Sequence, residues 1–393
     1  MKKILIILIC SILLFGCKKK EKFLSEMPED VFINFNSLDS IEVYSDVYLN
    51  DLIADSNAEI ISENYKIDTS ELGITKYKIL YQVNKQKYSK DFSVTTIDSE
   101  APRIFSSINK TIELNDSKNI CEFAMYGDNY DKVPKCVIEG TYDISKVGKY
   151  DLKYIVSDNS NNESTFNFTL NVVNKIASQP SSSSQIKFSD VIEKHKSDNT
   201  EFGIDISKWQ TNVDYNKVRD AGATFVMIRI GVQKAVNGML EIDEYYLQNI
   251  KKAKEAGLKV GVYLYSIATS IEEAKDHALW VIDTLKGEQL DFPIVFDWES
   301  WSIWNYLKLS FYDINAIADA FMNTIKANGY EPMLYSSKNY LINIWENKLN
   351  YPVWLAHYTT NTDYKGDYIM WQLTNAGRIN GVNGNVDINI LYK

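Results

Sequence analysis

From Phe202 onward the chain alternates apolar runs of strand length with amphipathic runs of helix length, and that rhythm admits few folds. Strand-like runs cover 202–207, 225–231, 259–268, 293–299 and 331–337. Helical patterns cover 214–222, 243–257, 270–286 and 310–329, and Gly222, Gly257 and Gly329 close three of them, as helix ends prefer. Alternation of this kind implies parallel strands joined by crossovers. Three more strand-like runs follow at 352–358, 368–374 and 385–392, separated by turns and little helix. The count is eight strands, five of them in β/α units. The expected fold is an α/β TIM-like barrel of the (β/α)5(β)3 kind, whose chemistry sits at the C-terminal ends of its strands.

The first half of the chain has a different character. The length, 393 residues, exceeds one ordinary core and implies two or three domains. All eight tryptophans fall between Trp209 and Trp371, so the two halves differ in composition. Residues 28–174 read as strands with apolar–polar alternation, as in 76–81 and 166–172. A weak internal repeat runs through them: Leu72-Gly73 before Tyr77 and Tyr81 echoes Val147-Gly148 before Tyr150 and Tyr154. The divisions expected are a β-rich domain at 28–97, a second at 98–174, a Ser-rich linker at 175–200 around Ser181–Ser184, and the barrel at 201–393.

The first residues read as a targeting segment. Lys2-Lys3, an apolar run from Ile4 to Phe15 and then Gly16-Cys17 give a charged, an apolar and a small-residue region in order. The apolar run is too short to span a bilayer. Leu14-Phe15-Gly16-Cys17 resembles a bacterial lipobox. That resemblance implies a signal peptide at 1–17, lipidation of Cys17, a tether at 18–27 and attachment to the outer face of the bacterial cell membrane; the alternative is a plain secretory signal. Lys18-Lys19-Lys20 would add attraction to anionic headgroups. Of the four cysteines, Cys121 and Cys136 remain, an even pair in an oxidising compartment; they are either one disulfide or two buried thiols.

The formal charge of −10 argues against nucleic acid as a partner. It also provides no long-range pull toward anionic wall polymers, so wall recognition would need a shaped site. No metal-ligand spacing is present, and His195, His277 and His357 are scattered; each reads as a surface or packing residue. Neither a metal nor another cofactor is expected, and the chain is expected to be monomeric.

Four carboxylates interrupt apolar strands. Asp205 lies at the end of the first strand, Asp297 and Glu299 at the end of the fourth, and Asp387 in the eighth. Strands one and eight meet when a barrel closes, so the four would ring one mouth. Charges so placed are costly unless paired or functional. Residues two apart on a strand share a face, so Asp297 and Glu299 aim at the barrel axis while Trp298 points away. Their Cα atoms would lie roughly 6.6 Å apart, from a rise of about 3.3 Å per residue. Crowded carboxylates raise one another's pKa. A carboxyl still protonated near neutral pH can protonate a glycosidic oxygen, while an ionised partner stabilises an oxocarbenium-like transition state. The competing reading of the pair alone is a salt-bridged strand end.

Words spread along 201–393 resemble glycoside hydrolase family 25, the lysozymes of the cellosyl or Chalaropsis type. They are Gly203-Ile204-Asp205-Ile206-Ser207-Lys208-Trp209-Gln210, Arg229, Asp243 with Tyr246 and Asn249, and Gly261-Val262-Tyr263-Leu264-Tyr265. Asp297-Trp298-Glu299, Trp354-Leu355-Ala356-His357-Tyr358, Trp371-Gln372 and Val386-Asp387-Ile388-Asn389 complete the set; Tyr246 stands where Phe is commoner. The resemblance implies a muramidase cutting β-1,4 bonds between N-acetylmuramic acid and N-acetylglucosamine in peptidoglycan. It makes Glu299 the general acid and has Asp297 position or stabilise the 2-acetamido group. Asp205 and Asp387 would line the same pocket. Tyr263, Tyr265, Trp354, Trp371 and Gln372 become candidate subsite residues, since aromatic faces stack on sugars. Trp298, Trp301 and Trp304 could wall the site, with Trp298 packed behind the barrel. Residues 98–174, with Asp98-Ser99-Glu100-Ala101-Pro102 and Val147-Gly148-Lys149-Tyr150, resemble bacterial immunoglobulin-like domains, β-sandwiches that serve as spacers or adhesion modules.

Three other readings compete, one of which makes the β-rich region the main function, through partner binding, with the barrel secondary. A chitin-type endoglycosidase on a related barrel carries a longer acidic run, which 291–296 does not match. A non-catalytic glycan-binding surface lipoprotein would have little reason to keep all four carboxylates. The spacing of Asp297 and Glu299 leaves retaining, inverting and substrate-assisted chemistry open.

Overall fold

The computed structural model describes residues 23–176, 185–236, 238–300, 304, 307–346 and 351–393. The expected signal peptide, Cys17, the lysine run, Ser181–Ser184 and Trp301 lie outside the described residues. The chain divides into two compact units, 1–99 and 100–393.

In the first unit, Gly73–Val83 and Gln86–Ile97 form a long antiparallel hairpin. It turns on Asn84 and Lys85, both at positive φ, the geometry whose twist matches that of paired strands. Glu59–Ile60 adds antiparallel to one side and Ile41–Glu42 parallel to the other. Alternate residues Ile79, Tyr81 and Val94 turn inward against Leu49 and Ile67.

The second unit begins with a module whose sheet has the same order and polarity. Lys135–Glu139, Gly148–Ser157 and Glu163–Val173 run antiparallel, and Asn109–Glu113 adds parallel to the last. The weak repeat in the sequence is therefore a repeat of topology. Leu152, Tyr154, Phe168 and Leu170 form its core, with the Tyr154 and Phe168 rings stacked 3.9 Å apart. A short pair, Arg103–Ile104 with Tyr126–Gly127, lies beside this sheet in sequence. Cys121 and Cys136 form a disulfide.

The rest of the second unit is the barrel. Its strands are β1 Thr200–Ile206, β2 Phe225–Gln233, β3 Lys259–Tyr265, β4 Ile294–Asp297, β5 Pro332–Ser337, β6 Val353–Ala356, β7 Met370–Arg378 and β8 Val386–Tyr392. Helices α1 Tyr215–Asp220, α2 Tyr246–Glu255, α3 Ile271–Leu285, α4 Phe311–Ala327 and α5 Lys338–Asn343 follow β1 to β5 in turn. Ser270 and Ser310 accept hydrogen bonds from the first turns of α3 and α4, and Gly222, Gly257 and Gly329 all take positive φ just past helix ends. β1 to β7 run parallel, but β8 is antiparallel to both β7 and β1 and closes the ring. A regular parallel barrel would have a crossover helix before β8; the short connection after Arg378 lets the chain only turn back.

Two layers of core follow from strand alternation. Phe225, Met227, Val295, Met333 and Met370 fill the barrel interior. Ile204, Ile228, Val262, Phe296 and Leu355 face outward against the helices. Gly203 is required by close approach, because a Cβ there would stand 2.5 Å from Phe225.

The span read as linker, 175–200, is only partly so. Ile186–Lys187 pairs parallel with β7, and the helix Phe188–His195 buries Phe188 and Val191 in the outer core. Phe188, Val191 and Ile192 are spaced as one helical face, a signal outweighed in the sequence by the adjoining serines.

Candidate active site

Strand parity and the direction of β8 together assemble the mouth. Asp205 is the penultimate residue of β1, and Asp297 ends β4, two residues beyond the inward Val295. Because β8 runs against its neighbours, its beginning lies where the others end. Asp387 therefore stands opposite Asp205 in register, and Asn389 opposite Gly203. Glu299 lies just past the end of β4 rather than on it, and is exposed to the cleft. Trp298 between the two acids is fully buried on the helix side, its Nε1 donating to the carbonyl of Ala268 at 3.2 Å.

These groups line a cleft of about 380 Å³. Asp205, Asp297, Glu299, Asp387, Tyr263, Tyr265, Trp354 and Gln372 all reach it. Trp371 does not. It sits on the outward parity of β7, buried in the outer core, donating from Nε1 to the carbonyl of His357 at 2.9 Å and meeting His195 edge-on. Its neighbour Gln372 carries the inward position.

A hydrogen-bond network fixes Asp205. Its Oδ2 accepts from Gln372 Nε2 at 2.9 Å and Asn389 Nδ2 at 2.7 Å. Gln372 Oε1 accepts from the hydroxyls of Tyr335 (2.8 Å) and Tyr358 (3.0 Å), and Asn389 Oδ1 accepts from Trp354 Nε1 at 2.8 Å. Asp205 and Asp387 also share a carboxyl–carboxyl hydrogen bond. Opposite them, Arg229 is the cationic side chain of the wall. It is held by Asp243 through Nε at 2.8 Å and Nη2 at 2.6 Å. Asp243 in turn accepts from the Lys208 backbone N–H at 3.0 Å, which anchors the loop carrying Trp209. Trp209 is 73% exposed at the rim.

Four carboxyls around one guanidinium cannot all ionise. Burial, then the charges of Glu299 and Asp205, push Asp297 well above the usual carboxylate range, against the pull of Arg229. Burial and then Asp205 raise Glu299, whose carboxyl is dehydrated by the cleft walls although the residue is open to solvent. Burial first, then Asp205, push Asp387 up to about 9. The Asp205–Asp387 pair thus keeps a proton near neutral pH. Asp297 Oδ1 is buried and has no hydrogen-bond partner among the described residues. A buried acceptor so left costs free energy that an incoming N–H donor would recover.

Several lining residues were not singled out for roles in the sequence: Arg229, Tyr335, Tyr358, Trp209, Ser207 and Asn375. Tyr335 had a readable signal, since it follows Met333 by two at a strand end as Asp297 follows Val295. None of the three histidines lines the cleft; His277 is buried against Ser266 and Glu273.

The family model described as glycosyl hydrolases family 25 matches residues 204–382. The uncharacterized protein YegX of Escherichia coli strain K12 is 30% identical over 195 residues, covering 48% of this chain and 68% of that protein. The chain belongs to glycosyl hydrolase family 25. The autolytic lysozyme of Clostridium acetobutylicum is 29% identical over 188 residues, 47% of this chain and 54% of that protein, so the match spans about half of that lysozyme. Among solved structures, a family 25 glycosyl hydrolase from Bacillus anthracis is 20% identical, with 51% of this chain and 93% of that chain covered and a TM-score of 0.44. Most glycoside hydrolases place two carboxyl groups at the glycosidic bond, and this cleft holds four.

Proposed function

We propose that the barrel is an N-acetylmuramidase, hydrolysing the β-1,4 bond between N-acetylmuramic acid and N-acetylglucosamine in peptidoglycan. The observation that carries this reading is the pairing of an open Glu299, whose carboxyl burial and Asp205 push upward, with a buried Asp297 whose Oδ1 has no hydrogen-bond partner among the described residues. In this reading Glu299 gives its proton to the glycosidic oxygen as the C1–O bond breaks. Asp297 Oδ1 accepts the N–H of the 2-acetamido group, which holds that group beneath C1 as positive charge develops there. Water then adds at C1 and returns a proton to Glu299. Asp205 and Asp387 keep a proton between them and shape the floor, while Trp209, Tyr263 and Tyr265 offer ring faces to sugars. We further propose that Cys17 is lipidated and holds the protein on the outer face of the cell membrane. On that reading the β modules, the second of them immunoglobulin-like, hold the barrel away from the bilayer.

The test is digestion of purified peptidoglycan by the whole chain, with identification of the new reducing ends. Muramic-acid ends, reduced about 10²- to 10⁴-fold in Glu299→Gln, are expected. Glucosamine ends would overturn the bond assignment.

A further inference from the structure

The module at 100–174 is not merely tethered to the barrel; the two share a packed joint. The backbone carbonyls of Asp128 and Asn129 accept from the N–H groups of Phe311 (2.7 Å) and Tyr312 (3.4 Å), the first two residues of α4. Those N–H groups have no acceptor within the helix itself. Phe105 belongs to the barrel's outer core, with its ring 6.3 Å from Phe311, and the Arg103 guanidinium lies 4.7 Å over that ring. Gly127 approaches so closely that a Cβ would stand 2.9 Å from the Phe311 ring and 3.5 Å from Trp304. Arg103 also donates to the carbonyl of Asn343 at 3.0 Å, and Asn339 donates to the carbonyl of Phe105 at 3.4 Å, so α5 is gripped too.

Both gripped elements flank Glu299. Trp304 packs edge-on against Phe311 (5.3 Å) and against Trp298 (6.1 Å), the residue preceding Glu299. Tyr340 of α5 donates its hydroxyl to the carbonyl of Glu299 at 3.3 Å. Glu299 lies beyond the end of β4, so the strand ladder does not hold it. Both contacts help to hold its backbone, and each rests on an element the module touches.

We infer that the 100–174 module is a working part of the active site, and that Gly127, Phe105 and Arg103 are positioning residues for Glu299, acting through Trp304–Trp298 and Tyr340. The inference rests on the reading of Glu299 as the acid. Loosening the joint frees the backbone at Glu299, hydrates its carboxyl further and spoils its aim, so turnover suffers more than binding.

The experiment uses the full chain with Gly127→Leu and, separately, Phe105→Ala, with Phe105→Leu as the conservative variant. Amide exchange followed by mass spectrometry reads the joint at 125–130 and 311–313, and the acid segment at 298–300. Opening of the joint should raise exchange at 298–300. It should also lower kcat on the order of ten- to a hundred-fold with KM within about two-fold, and move the alkaline limb of the kcat profile to lower pH. Phe105→Leu should restore most of the loss. An opened joint with unchanged exchange at 298–300 and an unchanged pH profile would overturn the inference, as would a joint still protected in Gly127→Leu. Glu299→Gln is assayed alongside; if it stays active, the acid assignment fails, and the exchange data still decide whether the joint holds that segment.

Discussion

Asp205 and Asp387 face each other in register across the antiparallel seam between the first and last barrel strands, and their carboxyls are hydrogen-bonded to one another. A proton held there in the native state, with Asp387 pushed up to about 9, is absent from the unfolded chain above about pH 4. The native state therefore binds more protons than the unfolded state between those values, and stability falls as pH rises through that window. The expected slope approaches about 1.4 kcal/mol per pH unit for each proton retained, with Asp297 and Glu299 adding in the same direction. Urea unfolding from pH 7 to 8, above the range in which the three histidines with lowered pKa titrate, should show declining midpoints, and Asp387→Asn should flatten the decline. Midpoints that rise with pH would contradict the shared proton.

Asp205 of that pair also acts on Glu299. Its carboxyl is raised by burial and then by Asp205. Asp205→Asn removes the second cause, so the acid form of Glu299 is lost at lower pH. The alkaline limb of kcat should move to lower pH in that variant, with activity at pH 5 suffering less than activity at pH 7. A pH–rate profile of unchanged position would show that Asp205 does not act on the acid.

Arg229 is held by Asp243, and both are largely buried. Removing one partner strands the other. Arg229→Met should lower stability by about 3–5 kcal/mol, read from denaturant midpoints. Because Asp243 also accepts from the backbone N–H of Lys208, the loss should loosen the Trp209 rim and raise KM as well. A stable Arg229→Met with wild-type KM would show that the ion pair does neither.

Two tryptophans from the same group of motif words should behave differently. Trp209 is exposed at the cleft rim, whereas Trp371 is buried behind β7. Trp209→Ala should raise KM about 3- to 10-fold, the value of one aromatic contact of about 0.5–1.5 kcal/mol, with little change in Tm. Trp371→Ala should instead lower stability by about 3–5 kcal/mol. Kinetics and calorimetry on the two variants check the division.

Much of the barrel was legible because period-two and longer helical patterns alternate without ambiguity, and because Asp205, Asp297 and Asp387 are charges in otherwise apolar strands. What the sequence hid has local causes. Glu299 was placed on a strand with Asp297, but hydrogen bonding to β5 stops at Asp297 opposite Tyr335. Residue type alone suits Trp371 to a sugar platform but does not give parity; its neighbour Gln372 takes the inward position. The helix at 188–195 was absorbed into a serine-rich stretch, and α5 is too short for its periodicity to stand out. The polarity of β8 carries no composition signal, yet it is what delivers Asp387 to the mouth.

The joint between module and barrel was invisible for a different reason. Its residues, Phe105, Gly127 and Asp128, look like ordinary turn and edge residues until Phe311 and Trp304 are seen against them. Nothing in the spacing of the first half announces a contact some 180 residues away.

The disulfide gives that joint a chemical condition. Cys121 and Cys136 close a loop that contains Met125, Gly127, Asp128 and Asn129, the segment that meets α4 and the outer core, and Lys132, which pairs with Asp313 at 2.9 Å. Replacing both cysteines by serine should cost about 2–4 kcal/mol in the module and reduce turnover alongside it, and dithiothreitol should act likewise on the unaltered protein. Reducing compartments keep such thiols apart. The segment would then reach the barrel as a floppy strand rather than a shaped key. If the joint positions Glu299 as inferred, closing the Cys121–Cys136 bond becomes a condition of full turnover.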